Sequence, residues 1–340
     1  MKVIMDPLHG EIKVPEDFLQ VINKPEFQRL RRIKQLGLTQ LVYPSATHTR
    51  FLHSIGVFHL SRSFNDETLS LYALLHDVGH APLSHVVERA LQENGIKFDH
   101  DDEMWKLLPS LLQDTVFTPA DVRKAERLLV SGDLGIDRVD YLLRDSYFTG
   151  VRVGYISWER LVRLMRVEDG RIVVEEKGRD VVEHFFIARF LLGSSVYFHK
   201  TNMIIEGMVS RAVGYLLEEI SWKEIVRMDD EGFACAMRQS ESRAGEIWNM
   251  ITRRRLYKPV FVGKSRDRAL EKYEKFDDAL FIERPTWHRE VTAVVGETPV
   301  RDLPLVRALV DADREGKRYI VAVHPDELAG AGFGPATSRL

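Results

Sequence analysis

Residues 74–80 read Leu74-Leu75-His76-Asp77-Val78-Gly79-His80, and this stretch governs how the rest of the chain is read. It closes an apolar helical run from Glu67 to Asp77 that contains Leu69, Tyr72, Ala73 and Leu75. An imidazole and a carboxylate buried together at a helix end cost several kcal/mol unless they are partnered. A divalent cation satisfies both at once, because neutral imidazole is a borderline donor and carboxylate supplies charge. Adjacent residues point about 100° apart on a helix, so the cation must sit beside the helix edge and draw further ligands from other helices. His53, in the preceding helical stretch Arg50-Phe51-Leu52-His53-Ser54-Ile55-Gly56, is one candidate. Asp137 or Asp140, in Gly135-Ile136-Asp137-Arg138-Val139-Asp140-Tyr141, is another. Two imidazoles and two carboxylates leave positions open for water and substrate, as a hydrolytic metal site requires.

Histidine usage points to the same region. Seven of the 12 histidines (His48, His53, His59, His76, His80, His85, His100) fall between residues 48 and 100, where a uniform spread would put about two. Around them the spacing predicts helices: two across 17–43, divided at Pro25 and ended at Gly37, then one from Arg50 to about Phe64. Pro82 suits the first turn of a helix running to about Glu93. Further helices are expected at 100–113, 119–130, 134–148, 157–165 and, as one long element, 179–220. Residues 162–176 change period, and Asp169-Gly170 supplies the turn of a β-hairpin. After residue 255 the runs KPVFVG, DALFIE, REVTAVV and KRYIVAV read as strands. The expected fold is therefore mainly α: a helical core over 1–255 with one hairpin, then a small α+β region over 256–340 whose tail after Leu328 is loose.

Composition excludes several classes. A chain of 340 residues, 44% hydrophobic and 29% charged, is neither disordered nor fibrous, and its length suggests about two domains. The balance of 48 basic against 51 acidic side chains, net −3, provides no global field for nucleic acid. Nucleic-acid binding is thus not favoured. One cysteine, Cys235, excludes an internal disulfide and fits a reducing compartment. No run approaches the ~18 apolar residues of a membrane span, and the opening residues lack a signal-peptide core. A soluble cytoplasmic protein without membrane partners is expected.

Spaced histidine, His-Asp doublet and distant aspartate resemble the HD-domain metal phosphohydrolases, and within them the deoxynucleoside triphosphate triphosphohydrolase branch. The likeness covers roughly residues 1–260. It is carried by DPLHG (6–10), FQRLRRIKQLG (27–37), HTRFLHSIGV (48–57), HDVGHAPLSH (76–85), GIDRVDYLLRDS (135–146) and VYFHKTN (196–202). The resemblance implies an all-α catalytic core, with metal ligands His53, His76, Asp77 and Asp137 and with Asp140 as a structural neighbour. It implies His80 and His85 along the phosphate path and His100 as a further catalytic histidine. Substrate contacts fall on Gln35, Arg50, Arg138, Tyr141, Asp145, Arg189 and Tyr197, with Tyr197 under the sugar. It also implies a nucleotide substrate and assembly into a dimer or larger homo-oligomer. Asn23 stands where the vertebrate members use an aspartate to read a regulatory guanine, and arginine replaces the family's usual lysine at Arg138.

The expected activity is hydrolysis of (deoxy)nucleoside triphosphates to nucleoside plus triphosphate, with one divalent ion as cofactor. Fe, Mn, Zn, Ni, Co and Mg all suit this donor set. The alternatives are a nucleotide phosphomonoesterase releasing orthophosphate, and a nucleotide-sensing or nucleic-acid-binding regulator with a vestigial site. The intact ligand set argues against the last. Outside the motifs, His9 is read as ordering the turn before Gly10, and Cys235 as a core residue. Arg253-Arg254-Arg255 is read as a solvated helix end, and His288 and His324 as having no partner pattern.

Overall fold

A computed structural model describes residues 1–285 and 291–330. His288, the start of the REVTAVV run and the tail from 331 lie outside the described residues. Among the described residues the chain is mainly helical, as expected, with three small sheets.

It begins with an element the periodicity did not reveal. Lys2–Asp6 and Gly10–Val14 form an antiparallel hairpin in which Asp6 pairs with Gly10. One Asp6 carboxylate oxygen accepts the backbone N–H groups of Leu8 and His9, at 2.9 and 3.0 Å, and this ties the turn. Of the two helices expected across 17–43, the second is short. After Pro25–Gln28 and a 3-10 turn at Arg29–Arg32, Ile33 turns extended. There Lys34 bridges to Thr49, Gln35 N–H donates to His48 O at 3.0 Å, and Arg50 N–H donates to Ile33 O at 2.9 Å. This local pairing overrides the helical spacing and sets Gln35 and His48 beside the start of the helix Arg50–Ser61.

The helix Glu67–Leu75 is capped by Asp66, whose side chain accepts from Thr68 and Leu69 N–H, and every residue from Leu69 to Leu75 is buried. The chain then folds back on itself in turns. A Cβ on Gly79 would lie 2.1 Å from His100 O, so only glycine lets this turn meet the next helix, His100–Leu111. The helix expected from Pro82 begins instead at His85, because Leu83 and Ser84 adopt positive φ of 54° and 59°. Ser84 Oγ donates to Lys34 O at 2.7 Å and accepts from Arg50 Nε at 2.9 Å, which holds this unfavourable backbone in place.

Two more helices break where a single one was expected. The 119–130 span divides into Pro119–Lys124 and Leu128–Ser131, with Ala125 extended between them. The 179–220 span divides into Arg179–Leu192 and Lys200–Leu216, with a π-turn at Gly193–Tyr197 and a 62° bend. At the bend Asn202 Nδ2 donates to Val196 O at 2.9 Å, and the His199 ring accepts from Thr201 N–H as an N-cap. This break delivers Tyr197 to the site. No single helix among the described residues is long and apolar enough to cross a membrane.

The hairpin Met165–Glu168/Arg171–Val174 turns at Asp169-Gly170, both at positive φ. Val294–Val295 adds to it in parallel and Thr298–Pro299 follows. Part of the C-terminal region thus joins the main core through Val291, Ala293, Val295 and Val306. The rest forms an antiparallel sheet with Tyr319–Val323 between Lys258–Gly263 and Ala279–Glu283. Ile320 and Ala322 face the cluster containing the helix Lys200–Leu216, whereas Tyr319, Val321 and Val323 face a small cluster with Ala269. A division at residue 255 therefore separates segments that share cores. Cys235, expected in the core, is exposed on the helix Asp230–Gln239.

The helix Ile136–Thr149 lies against Arg50–Ser61 at Gly56, where an added Cβ would meet Asp140 Oδ1 at 2.0 Å and an Arg144 nitrogen at 2.5 Å. Gly56→Ala is expected to lower the unfolding free energy by about 3 kcal/mol through overpacking, as read from urea denaturation midpoints.

Candidate active site

Three elements converge where the sequence placed the four ligands. His53 comes from the helix Arg50–Ser61, His76 and Asp77 from the turn after Glu67–Leu75, and Asp137 from the first turn of Ile136–Thr149. His53 Nε2 lies 3.0 Å from Asp137 Oδ1 and 3.6 Å from Asp77 Oδ2. His76 Nε2 lies 3.5 Å from Asp77 Oδ1 and 3.7 Å from Asp137 Oδ1. His53, His76 and Asp137 each offer one ligand atom within 4.8 Å of the others. Asp77 divides its oxygens, one toward His76 and His80 and the other toward His53 and Arg50. The Asp137 side chain keeps 24% of its surface, so the centre opens on that side.

This donor set fits a cation. His76 Nδ1 donates to Ala73 O at 2.8 Å, which leaves Nε2 as a buried acceptor with no hydrogen-bond partner. Asp140 takes His53 Nδ1–H at 2.8 Å, so His53 Nε2 faces the same point. Burial would raise Asp77 and Asp137. Arg50 and the imidazoles outweigh it for Asp77, and His53 and His76 outweigh it for Asp137, so both carboxyls sit well below the usual range. Conversely, burial would lower His53 and His76, and the surrounding carboxylates push both up instead. The carboxylates thus favour positive charge at this point, and a divalent ion held by the same atoms would supply it.

The three catalytic candidates also meet. His80 and His100 stack with ring centroids 3.9 Å apart and planes 14° apart, and His85 stands edge-on to both. Between them lies Glu88, a residue the sequence reading missed. Its carboxylate accepts from His100 Nδ1 at 2.9 Å and from His85 Nδ1 at 3.2 Å. The legible signal was its position three residues after His85 on one helix face. Burial would raise Glu88, but hydrogen bonds from His100 and His85 hold it well below its usual value. Burial opposes a charged His100, yet Glu88 overcomes this and raises it. His80 and His85 are both lowered, chiefly by burial. These four residues also form a metal-capable group.

The expected substrate residues form a second wall. Tyr197 OH donates to Asp145 Oδ2 at 2.6 Å, and His48 Nε2 contacts Asp145 Oδ1 at 2.7 Å. Burial and Asp145 together push the Tyr197 phenol well up. Tyr141 stands edge-on to Tyr197 at 6.2 Å. Arg138 donates to Gly132 O at 2.8 Å, and its charge interacts with Tyr141 and with Arg189. Gln35 is buried with an unpartnered Oε1. Arg50, expected to contact substrate, is buried and donates to Asp77 Oδ2 at 2.7 Å and to Ser84. His9, read only as a turn residue, reaches Asp140 Oδ1 at 2.7 Å.

Comparison with known proteins agrees with this geometry. Residues 50–128 match the HD domain, and residues 156–286 match the HD-associated region, which runs across residue 255. An uncharacterised protein of Methanocaldococcus jannaschii is 37% identical over 270 residues, covering 76% of this chain and 59% of that one. An uncharacterised Bacillus subtilis protein is 30% identical over 328 residues, covering 87% and 68%. The Dictyostelium discoideum homologue of the deoxynucleoside triphosphate triphosphohydrolase SAMHD1 is 31% identical over 250 residues, covering 62% and 48%. The chain thus spans between about half and two thirds of the length of these relatives. Among solved structures, a hypothetical protein of Aquifex aeolicus superposes with a TM-score of 0.81 at 27% identity, covering 98% of each chain. A phosphohydrolase of Bacteroides thetaiotaomicron superposes with 0.74 at 25% identity, covering 95% of this chain and 99% of that one. With the His-Asp centre, the two matched regions and these relatives in agreement, the chain belongs to the HD-domain phosphohydrolase family.

Proposed function

We propose that this centre hydrolyses (deoxy)nucleoside triphosphates to nucleoside plus triphosphate. The observation that carries the reading is the buried, unpartnered His76 Nε2 aimed at the same point as His53 Nε2 and the Asp77 and Asp137 carboxylates. The triphosphate assignment is supported by the name of the Dictyostelium relative and by cationic side chains beside Asp137. A divalent ion held by His53, His76, Asp77 and Asp137 would supply Lewis acidity toward a phosphoryl oxygen and toward water.

The chain's own residues do the rest. Arg138 and Arg189 offset the charge of the phosphate chain and the charge that develops in the transition state. Tyr141 borders that chain. Tyr197, oriented by Asp145, packs against the sugar, and Gln35 offers its free oxygen to the nucleoside. Arg50 acts through Asp77, whose carboxylate it holds ionised. Water adds to the α-phosphorus as the bond to the 5′-oxygen breaks, and the leaving oxygen needs a proton. His100 is suited to give it, because Glu88 favours its protonated form. His80 and His85, both disfavouring charge, line the approach.

Four outcomes are expected. Mn2+-loaded protein given each dNTP, GTP, dGMP and GDP should yield nucleoside and triphosphate on anion-exchange chromatography. Orthophosphate as the sole inorganic product would sink the reading and move a phosphomonoesterase ahead. His76→Ala and Asp77→Ala should each lose the metal by elemental analysis, and retention at wild-type stoichiometry would refute the ligand set. His100→Ala should lower kcat about 10²–10⁴-fold. A general acid must be protonated, so activity falls as pH rises through the His100 pKa. Glu88 holds that pKa up, so Glu88→Gln should move the alkaline limb of the kcat profile to lower pH. An unmoved limb would exclude His100 as the acid.

A further inference from the structure

His9 is a buried imidazole in the turn of the N-terminal hairpin, and the reaction described above gives it no task. Its side chain is 1% exposed and its Nε2 lies 2.7 Å from Asp140 Oδ1. The other Asp140 oxygen takes His53 Nδ1 at 2.8 Å. Arg144 spans the arrangement. Its Nε donates to Asp140 Oδ2 at 2.8 Å, Nη2 donates to Asp140 Oδ1 at 3.0 Å, and Nη1 donates to Asp6 Oδ2 at 2.8 Å. Asp6 ties the turn that carries His9 with its other oxygen. One guanidinium therefore braces both the hairpin and the carboxylate that orients His53.

The protons can be assigned from chemistry. A carboxylate only accepts hydrogen bonds, and two bonds from Arg144 keep Asp140 in that form. Both ring nitrogens that face it are then N–H donors. With His53 Nδ1–H held by Asp140, Nε2 is the nitrogen left for a cation; it meets Asp137 Oδ1 at 3.0 Å, a contact that a bound cation would replace. His9 Nδ1 is buried with no hydrogen-bond partner, so the single hydrogen bond of this ring goes to Asp140. Burying an imidazole with one nitrogen unmet is costly. A ring needed only to fill space between His59 and Trp158 would not require that nitrogen.

We propose that His9 is a positioning residue of the metal centre: its Nε2–H fixes Asp140, which in turn fixes the His53 tautomer and ring plane for a divalent cation. The N-terminal hairpin is thereby part of the site, although it contributes no ligand. The proposal rests on His53 being a ligand, as read above. Partners of this kind alter metal affinity by about 10–100-fold when they are removed.

The test is Mn2+ binding, followed by the paramagnetic resonance signal of the free ion, beside the thermal midpoint of the metal-free protein. Four variants of the whole chain are compared with wild type: His9→Leu, His9→Gln, His9→Asn and His53→Ala. His9→Leu should weaken Mn2+ binding about 10–100-fold. His9→Gln, whose amide nitrogen reaches the place of Nε2, should restore binding to within about threefold. His9→Asn, one bond shorter, should behave like leucine. If the leucine variant does not fold, the Gln and Asn pair decides, and equal affinities for the two overturn the proposal. Lower thermal midpoints with unchanged Mn2+ affinity in every His9 variant would also overturn it, since they describe a packing role alone. Wild-type affinity in His53→Ala would instead refute the ligand reading itself, whatever His9 does.

Discussion

Three carboxylates, Asp77, Asp137 and Asp140, meet inside a helical core, and the structure around them is organised by the need to compensate that charge. An ionised carboxylate removed from water without partners is far too costly to keep. Each therefore has a cationic or N–H partner. Arg50 serves Asp77, Arg144 and His9 serve Asp140, and His53 stands between Asp137 and Asp140. Removing Arg144 would leave Asp140 with imidazole partners alone.

This requirement explains features that look unrelated. Gly56 exists so that Asp140 and Arg144 can lie against the neighbouring helix. Leu83 and Ser84 hold positive φ because Ser84 must receive Arg50 while bonding Lys34 O. The extended pairing near Ile33 replaces a helical turn and brings His48 toward Asp145, which in turn holds Tyr197. Backbone strain and small residues thus gather where charged groups from distant segments must touch.

The site has two layers with different electrostatics. Around the carboxylates the imidazoles are driven toward the charged form, whereas His80 and His85 are driven toward the neutral one. Glu88 pushes the third member of that group, His100, the other way, toward the charged form. A group of residues able to hold a cation therefore lies beside a histidine cluster of opposite electrostatics, and pairs of titratable groups pushed in opposite directions suit acid–base work.

Much of this was legible in the order of residues. The His-Asp doublet on an apolar run, the histidine density between 48 and 100, and the Asp-Gly hairpin turn each follow from local chemistry: a buried polar pair needs a partner, and a turn needs its residues. The helices Arg50–Ser61, Glu67–Leu75 and His100–Leu111 follow from period alone. What the sequence could not settle was every feature set by contact between distant segments. Whether Asp137 or Asp140 faces the cation depends on which helix face meets His53. The helix break before Lys200 depends on an asparagine six residues beyond the carbonyl it takes. Residues 291–310 join the first core because Val294–Val295 pairs with a strand some 120 residues earlier. Arg50 is bound to Asp77, and His9 reaches Asp140 across 131 positions. Such pairings carry no local periodicity, and only the close-packed interior, which brings those charges within hydrogen-bond reach, decides them.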